Sequence, residues 1–181
     1  MRLFVAIEIE TEIRRRIEEF VSRLKPGVTN ARWVRPEGMH ITLKFLGSVA
    51  DERESSMEVA LRKIQAASFP IRVRNIGVFP NAKSPRVLWV GTEAGPELAQ
   101  LAERVDERMA ELGFEREKRA FAPHVTLARF NERDKKINLN SVLAGVQPSF
   151  GTMTAREFHL YESKLSPQGS RYSKLASFAL T

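Results

Sequence analysis

The sequence predicts a mixed α and β domain made of two similar lobes around one core, and three observations lead there. Hydrophobic patterns of period 2 and period 3.6 alternate along the chain. A strand, a helix and a histidine-bearing strand occur twice at one spacing, since Phe4 to His40 is 36 residues and so is Leu88 to His124. The chain is also long enough for a sizeable core, with 181 residues of which 43% are hydrophobic. About 70% of the unfolded surface is buried at such a length. No low-complexity linker divides it, so residues 1–181 are expected to form a single bilobal domain whose lobes face each other across a cleft.

Leu3 to Ile9 reads as a buried strand. Thr11 is the expected N-cap of a helix that carries Ile13, Ile17, Phe20, Val21 and Leu24 on one face and stops at Pro26-Gly27. Arg32 to Arg35 and His40 to Phe45 read as strands around the turn Pro36-Glu37-Gly38. Asp51 to Ala67 has the helical spacing of Met57, Leu61 and Ile64. Ile71 to Val78 and Arg86 to Val90 are strands flanking the loop from Pro80 to Pro85. A third helix starts near Pro96, a residue suited to a first helical turn, and ends at Gly113. His124 to Phe130 is a strand, Ile137 to Ala144 a short helix or loop, and Phe158 to Leu165 and Ser173 to Leu180 are the closing strands.

Composition removes several function classes. The chain has no cysteine, which excludes disulfide scaffolds, thiolate metal sites and a cysteine nucleophile. The apolar run at the N-terminus is too short for a signal peptide, and no segment approaches the ~18 apolar residues of a membrane span. The expectation is a soluble, cytoplasmic protein without membrane contact, and a monomer, because no amphipathic seam is left over. With 29 Lys and Arg against 22 Asp and Glu, the net charge is +7. That suits a polyanionic partner; it also suits an ordinary solvated surface, and charge alone does not choose between these.

Two of the three histidines stand in identical contexts, His40-Ile41-Thr42-Leu43 and His124-Val125-Thr126-Leu127. Residues i and i+2 of a strand share a face, so each motif presents an imidazole beside a hydroxyl. Two imidazoles on one cleft fit in-line displacement at phosphorus, where a base activates the attacking oxygen and an acid protonates the departing one. Histidine serves both roles near neutral pH, each worth roughly 10²- to 10⁴-fold. The Thr42 and Thr126 hydroxyls can donate to the non-bridging oxygens. No metal or cofactor is needed by this arrangement. A lone strand histidine is ordinarily a hydrogen-bonded structural residue, and His159, without a Thr partner, is read that way. The duplication of His-x-Thr-Leu is what argues otherwise for the other two.

These motifs, with Arg2 to Ile7, the run His40 to Gly47, Phe121 to Arg129 and Leu160 to Tyr172, resemble the two-histidine phosphoesterases, and within them the 2′-5′ RNA ligase-like RNA 2′,3′-cyclic phosphodiesterases. The resemblance spans nearly the whole chain. It implies an α+β, bilobal, pseudo-symmetric fold with two antiparallel sheets lining a central cleft and helices outside. It also implies hydrolysis of RNA 2′,3′-cyclic phosphate ends to 2′-phosphates, with His40 as proton donor and His124 as proton acceptor. The residues themselves give the pair but not its order. The same site would serve 2′-5′ RNA ligation with a different nucleophile.

In similar proteins an Arg at position 129 contacts the substrate phosphate. Strict strand alternation puts Arg129 on the face opposite His124, so a contact there requires a bulge near Ala128. Phe45 holds the matching position in the first lobe and is a candidate base-stacking platform, although its neighbours Leu46-Gly47 favour core packing. Among the basic clusters, Lys118-Arg119 and Lys83 with Arg86 are expected to track an RNA backbone, whereas Arg14-Arg15-Arg16 read as a solvated face. Arg72 with Arg74 and Lys135-Lys136 complete the set. Trp33, Trp89 and Tyr161 read as core aromatics. Against the enzyme stand a non-catalytic RNA-end-binding module and a metal-dependent hydrolase. Intact His-x-Thr pairs favour acid–base catalysis, because binding alone is better served by Arg or Lys.

Overall fold

A computed structural model describes residues 1–131 and 138–181; Lys135-Lys136 and the start of the expected segment from Ile137 lie outside the described residues. The elements follow in the order β1 Arg2–Glu8, α1 Thr11–Leu24, β2 Ala31–Trp33, β3 His40–Ser48, α2 Glu54–Arg62, β4 Phe69–Phe79, β5 Val87–Glu93, α3 Pro96–Glu111, β6 His124–Phe130, α4 Asn140–Leu143, β7 Ser149–Ala155, β8 Glu157–Ser166 and β9 Gly169–Ala179. Short 3-10 turns stand at Lys25–Gly27, Pro36–Gly38 and Asp51–Arg53. The fold is α+β, with every described strand pairing antiparallel.

The nine strands run in the order β7-β4-β5-β6-β3-β1-β8-β9, with β2 laid beside β6. The strands form one continuous sheet in place of the expected two, with four strands on each side of a junction between β3 and β6 made by one pair, Ile41 with Val125. These residues occupy the same place in the two repeats, so a local dyad passes through their bridge. Beyond it β3 and β6 part, and β2 fills the notch by pairing Ala31, Arg32 and Trp33 with Phe130, Arg129 and Ala128. The final strand of each repeat crosses over. β4 closes the first repeat but pairs with β5 of the second, and β8 closes the second but pairs with β1 of the first. Each side of the sheet therefore contains chain from both repeats.

The helices cover the outer face. α1 buries Ile13, Ile17 and Val21 and lies against β7; α3 buries Leu98, Leu101, Val105 and Met109 and lies against β3 and α2. Strand residues of alternate parity meet them there, among them Leu3, Val5, Ile7, Ile41 and Val125, all nearly inaccessible. The other parity, including Phe4, His40 and Thr42, faces the inner side.

Local readings differ from this structure at three places, each for a tertiary reason. Thr11 is the first helical residue, and Glu10 holds the cap position without capping, because its carboxylate accepts the Thr154 N–H of β7 instead. The helix expected over Asp51 to Ala67 ends at Arg62. Beyond it Ala66 and Ser68 exchange backbone hydrogen bonds with Thr181, and that pairing replaces the last helical turn. Strand β7 carries no alternation in sequence, since Gly151 at φ +102° and a register shift against β4 break its period.

Candidate active site

The largest described cavity, about 700 Å³, opens on the inner face over the β3–β6 junction and is lined by His40, Thr42, His124 and Thr126. The strands dictate this convergence. Each histidine opens its strand, with its Thr two residues on and on the same face. The antiparallel register through Ile41 and Val125 carries His40 toward Thr126 and His124 toward Thr42. Both motifs thus meet around one point although 84 residues separate the histidines.

Each ring is held from behind by the backbone two residues upstream. The His124 Nδ1 lies 2.7 Å from the Ala122 carbonyl oxygen. That oxygen only accepts, so Nδ1 carries the proton and Nε2 is left for the cleft. His40 makes the corresponding hydrogen bond to the backbone of Gly38. Their surroundings differ more than their positions. His40 packs 4.7 Å from the Phe4 ring, with Tyr172 edge-on at 5.3 Å and Tyr161 at 6.2 Å. Burial among them, reinforced by the Arg129 and His124 charges and only partly offset by the Gly38 hydrogen bond, pushes its pKa down to about 4. His124 meets Phe79 edge-on at 5.2 Å and is the more open of the two. Burial lowers its pKa too, against the Ala122 hydrogen bond, with Arg129 adding to the lowering. In the empty cleft both rings are therefore neutral near pH 7.

Beyond each Thr the strand skips a step. The β6 register to β5 jumps from Trp89–Thr126 to Leu88–Ala128, leaving Leu127 as an extra residue. The β3 register to β1 jumps from Ala6–Thr42 to Val5–Lys44, leaving Leu43 extra. A bulge reverses parity. It turns Arg129 and Phe45 onto the histidine face, and both line the cavity. Core packing for Phe45 is thus corrected: its ring is 67% exposed. Lys44 turns inward in its place, 2.5 Å from Asp106 of α3.

A family profile described as "LigT like Phosphoesterase" matches residues 7–89 and again 90–172, two consecutive copies that coincide with the internal repeat. The chain belongs to the LigT-like phosphoesterase family. Among similar proteins is an RNA 2′,3′-cyclic phosphodiesterase of Archaeoglobus fulgidus, 38% identical over 98% of this chain and 99% of its own. Another, from Escherichia coli, is 30% identical over 99% of this chain and 97% of its own. The crystal structure of E. coli LigT complexed with 3′-AMP superposes with a TM-score of 0.82 at 30% identity, covering 99% of this chain and 98% of that one.

Within this LigT-like cleft, several side chains are assembled that sequence reading passed over. Phe4 and Tyr172 wall His40, Phe79 walls His124, and Arg32 lies beside Arg129. No motif marks them, because strand pairing brings them together; the shared parity of Phe4, Ala6 and Glu8 in β1 was the available clue. Lys118 and Arg119 are not in this cavity. Both are exposed on the loop before β6 and paired with Glu115 and Glu117, since that loop is drawn outward to α3. Lys83 and Arg86 do not line it either. His159 is buried on β8, on the same face as Tyr161 with the rings 5.6 Å apart, and lies 2.9 Å from the Ser177 hydroxyl, outside the cavity lining. Among the described residues no three His, Asp or Glu side chains are placed to hold a metal ion, and no helix is long and apolar enough to cross a membrane.

Proposed function

We propose that residues 1–181 act as a single bilobal domain that hydrolyses RNA 2′,3′-cyclic phosphate ends to 2′-phosphomonoesters. The observation that carries this is the Ile41–Val125 bridge, which brings two His-x-Thr pairs to one cleft from equivalent positions. Relatives of the same length bearing the name RNA 2′,3′-cyclic phosphodiesterase support it. The crossing-over of β4 and β8 supports the single domain, because neither repeat completes a side of the sheet alone.

In this reading the cyclic phosphate sits between the imidazoles. His124 Nε2 takes a proton from water, the water oxygen bonds to phosphorus opposite the 3′ oxygen, and the P–O3′ bond breaks. His40 gives its proton to the departing 3′ oxygen, and exchange with solvent then restores both rings. The Thr42 and Thr126 hydroxyls donate to the non-bridging oxygens, and Arg129 offsets the growing charge there. His40 is too strongly depressed to hold a proton in the empty cleft, so it acquires one with the bound anion, whose charge favours imidazolium. The order of roles follows the family resemblance; the convergence of both imidazoles on one cleft supports the pair itself. Phe45 offers a base-stacking surface at the other end of the cleft. The site of action is RNA in the cytoplasm, with the protein as a monomer.

The test is a short RNA ending in a 2′,3′-cyclic phosphate, incubated in excess chelator with the parent protein, His40→Ala and His124→Ala. The expected result is a 2′-phosphate end from the parent, lost in both variants. RNA binding without turnover by the parent would establish an end-binding module instead, and turnover only on adding metal would overturn the acid–base assignment.

A further inference from the structure

Arg32 on β2 and Arg129 on β6 are direct cross-strand partners, and both line the cleft. Like charges facing each other across a strand pair are destabilising. Neither guanidinium meets a carboxylate among the described residues, although Arg14, Arg15, Arg16, Arg74, Arg108 and Arg116 all do. An arrangement of this kind is suited to an anion held between two planar forks.

We propose that Arg32 and Arg129 clamp a second phosphate, the phosphodiester on the 5′ oxygen of the terminal nucleotide, so that the preferred substrate is an oligoribonucleotide and not a mononucleotide. This rests on the cyclic phosphodiesterase reading. The placement supports it. Allowing for the bulge at Leu127, about four strand steps of roughly 3.3 Å separate the His124 and Arg129 backbones, on the order of 13 Å. Arg32 stands a further strand spacing to the side, roughly 4.7–4.9 Å. Arg129 lowers the pKa of both imidazoles and so reaches toward the reacting phosphate, whereas Arg32 is a cause of neither shift. Arg129 is then the shared arm and Arg32 the outer one. The pair also lies on the far side of the dyad from Phe45, its counterpart by symmetry, which gives the cleft one cationic and one aromatic end.

The experiment measures equilibrium binding of a 3′-phosphorylated dinucleotide, and of the nucleoside 3′-phosphate that lacks a 5′ phosphate, to the parent, Arg32→Gln and Arg32→Lys across a salt series. Values of kcat/KM on the matching cyclic phosphates are taken in parallel. The parent is expected to favour the dinucleotide by about tenfold, the low end of what a charge-assisted hydrogen bond contributes. In Arg32→Gln that advantage disappears while nucleoside binding stays within about twofold, and the slope of log K against log salt for the dinucleotide falls by about 0.7, the single-strand value for one charge. Arg32→Lys retains the slope and part of the advantage. Equal loss on both ligands would place Arg32 on the reacting phosphate and overturn the clamp, as would equal parent affinity for both ligands. The binding pattern without turnover would support the clamp and overturn the hydrolase reading alone.

Discussion

The Lys44 ammonium lies 2.5 Å from the Asp106 carboxylate, with both side chains more than nine-tenths buried, and ties β3 of the first repeat to α3 of the second. The same carboxylate accepts the Glu117 N–H at 3.1 Å and pairs with Arg116, while Lys44 also donates to the Glu115 carbonyl. One buried pair thus fixes the loop that leads into His124 against the strand that starts at His40. It exists because the bulge at Leu43 turned Lys44 inward.

Breaking that pair from one side should leave a buried charge uncompensated. Lys44→Met is expected to lower unfolding free energy by roughly 3–5 kcal/mol, read from urea midpoints. Lys44→Met with Asp106→Leu should recover much of the loss, because removing both partners strands neither. A single variant as stable as the parent would show the pair to be dispensable.

Gly77 lies flat beneath the Trp89 ring, where an added Cβ would overlap it. Trp89 packs with its ring tilted against Phe79, centroids 5.0 Å apart, and Phe79 is the wall of His124. Gly77→Ala should therefore cost about 1–3 kcal/mol as an overpacking change, and lower kcat/KM through the displaced wall. Calorimetry and turnover on one preparation check both halves, and unchanged values would contradict this packing.

Phe45 is largely exposed and its loss should not unfold the protein. If it stacks a base, Phe45→Ala weakens RNA binding by about 1–3 kcal/mol with an unchanged melting temperature. Titration of a fluorescent RNA measures this; equal affinity in the variant would remove the stacking role.

Burial of His40 has a definite sign in the pH dependence of stability. Its folded pKa, about 4, lies below the unfolded value near 6.5, so the unfolded chain takes up the proton first. Its contribution is complete above about pH 6.5, declines as pH falls toward about 4, and then levels off. His40→Gln should flatten this part of the urea-midpoint curve. Side-chain nitrogen NMR should find His40 neutral at pH 6 in the empty protein, and more protonated once a nucleotide phosphate is bound.

Much of the site was legible because its signal is local. His40 with Thr42 and His124 with Thr126 needed only strand parity, and the matching 36-residue spacing announced two copies of one unit. Arg129 and Phe45 were legible by name but not by direction, since a bulge is a property of two paired strands and neither strand alone encodes its place. The exposure of Lys118 and Arg119 away from the cleft depends on Asp106, a residue more than ten positions earlier in the chain.

The sequence by itself determined most of the element types, β7 excepted, together with the duplication and the paired histidines, all of which follow from periodicity and short-range spacing. Tertiary structure alone decided that equivalent residues Ile41 and Val125 would pair, that β4 and β8 would exchange sides, and that Arg32 would stand beside Arg129. Those relationships are hydrogen-bonded registers between distant segments. Their energy depends on which strands meet, and no window of contiguous residues contains both partners.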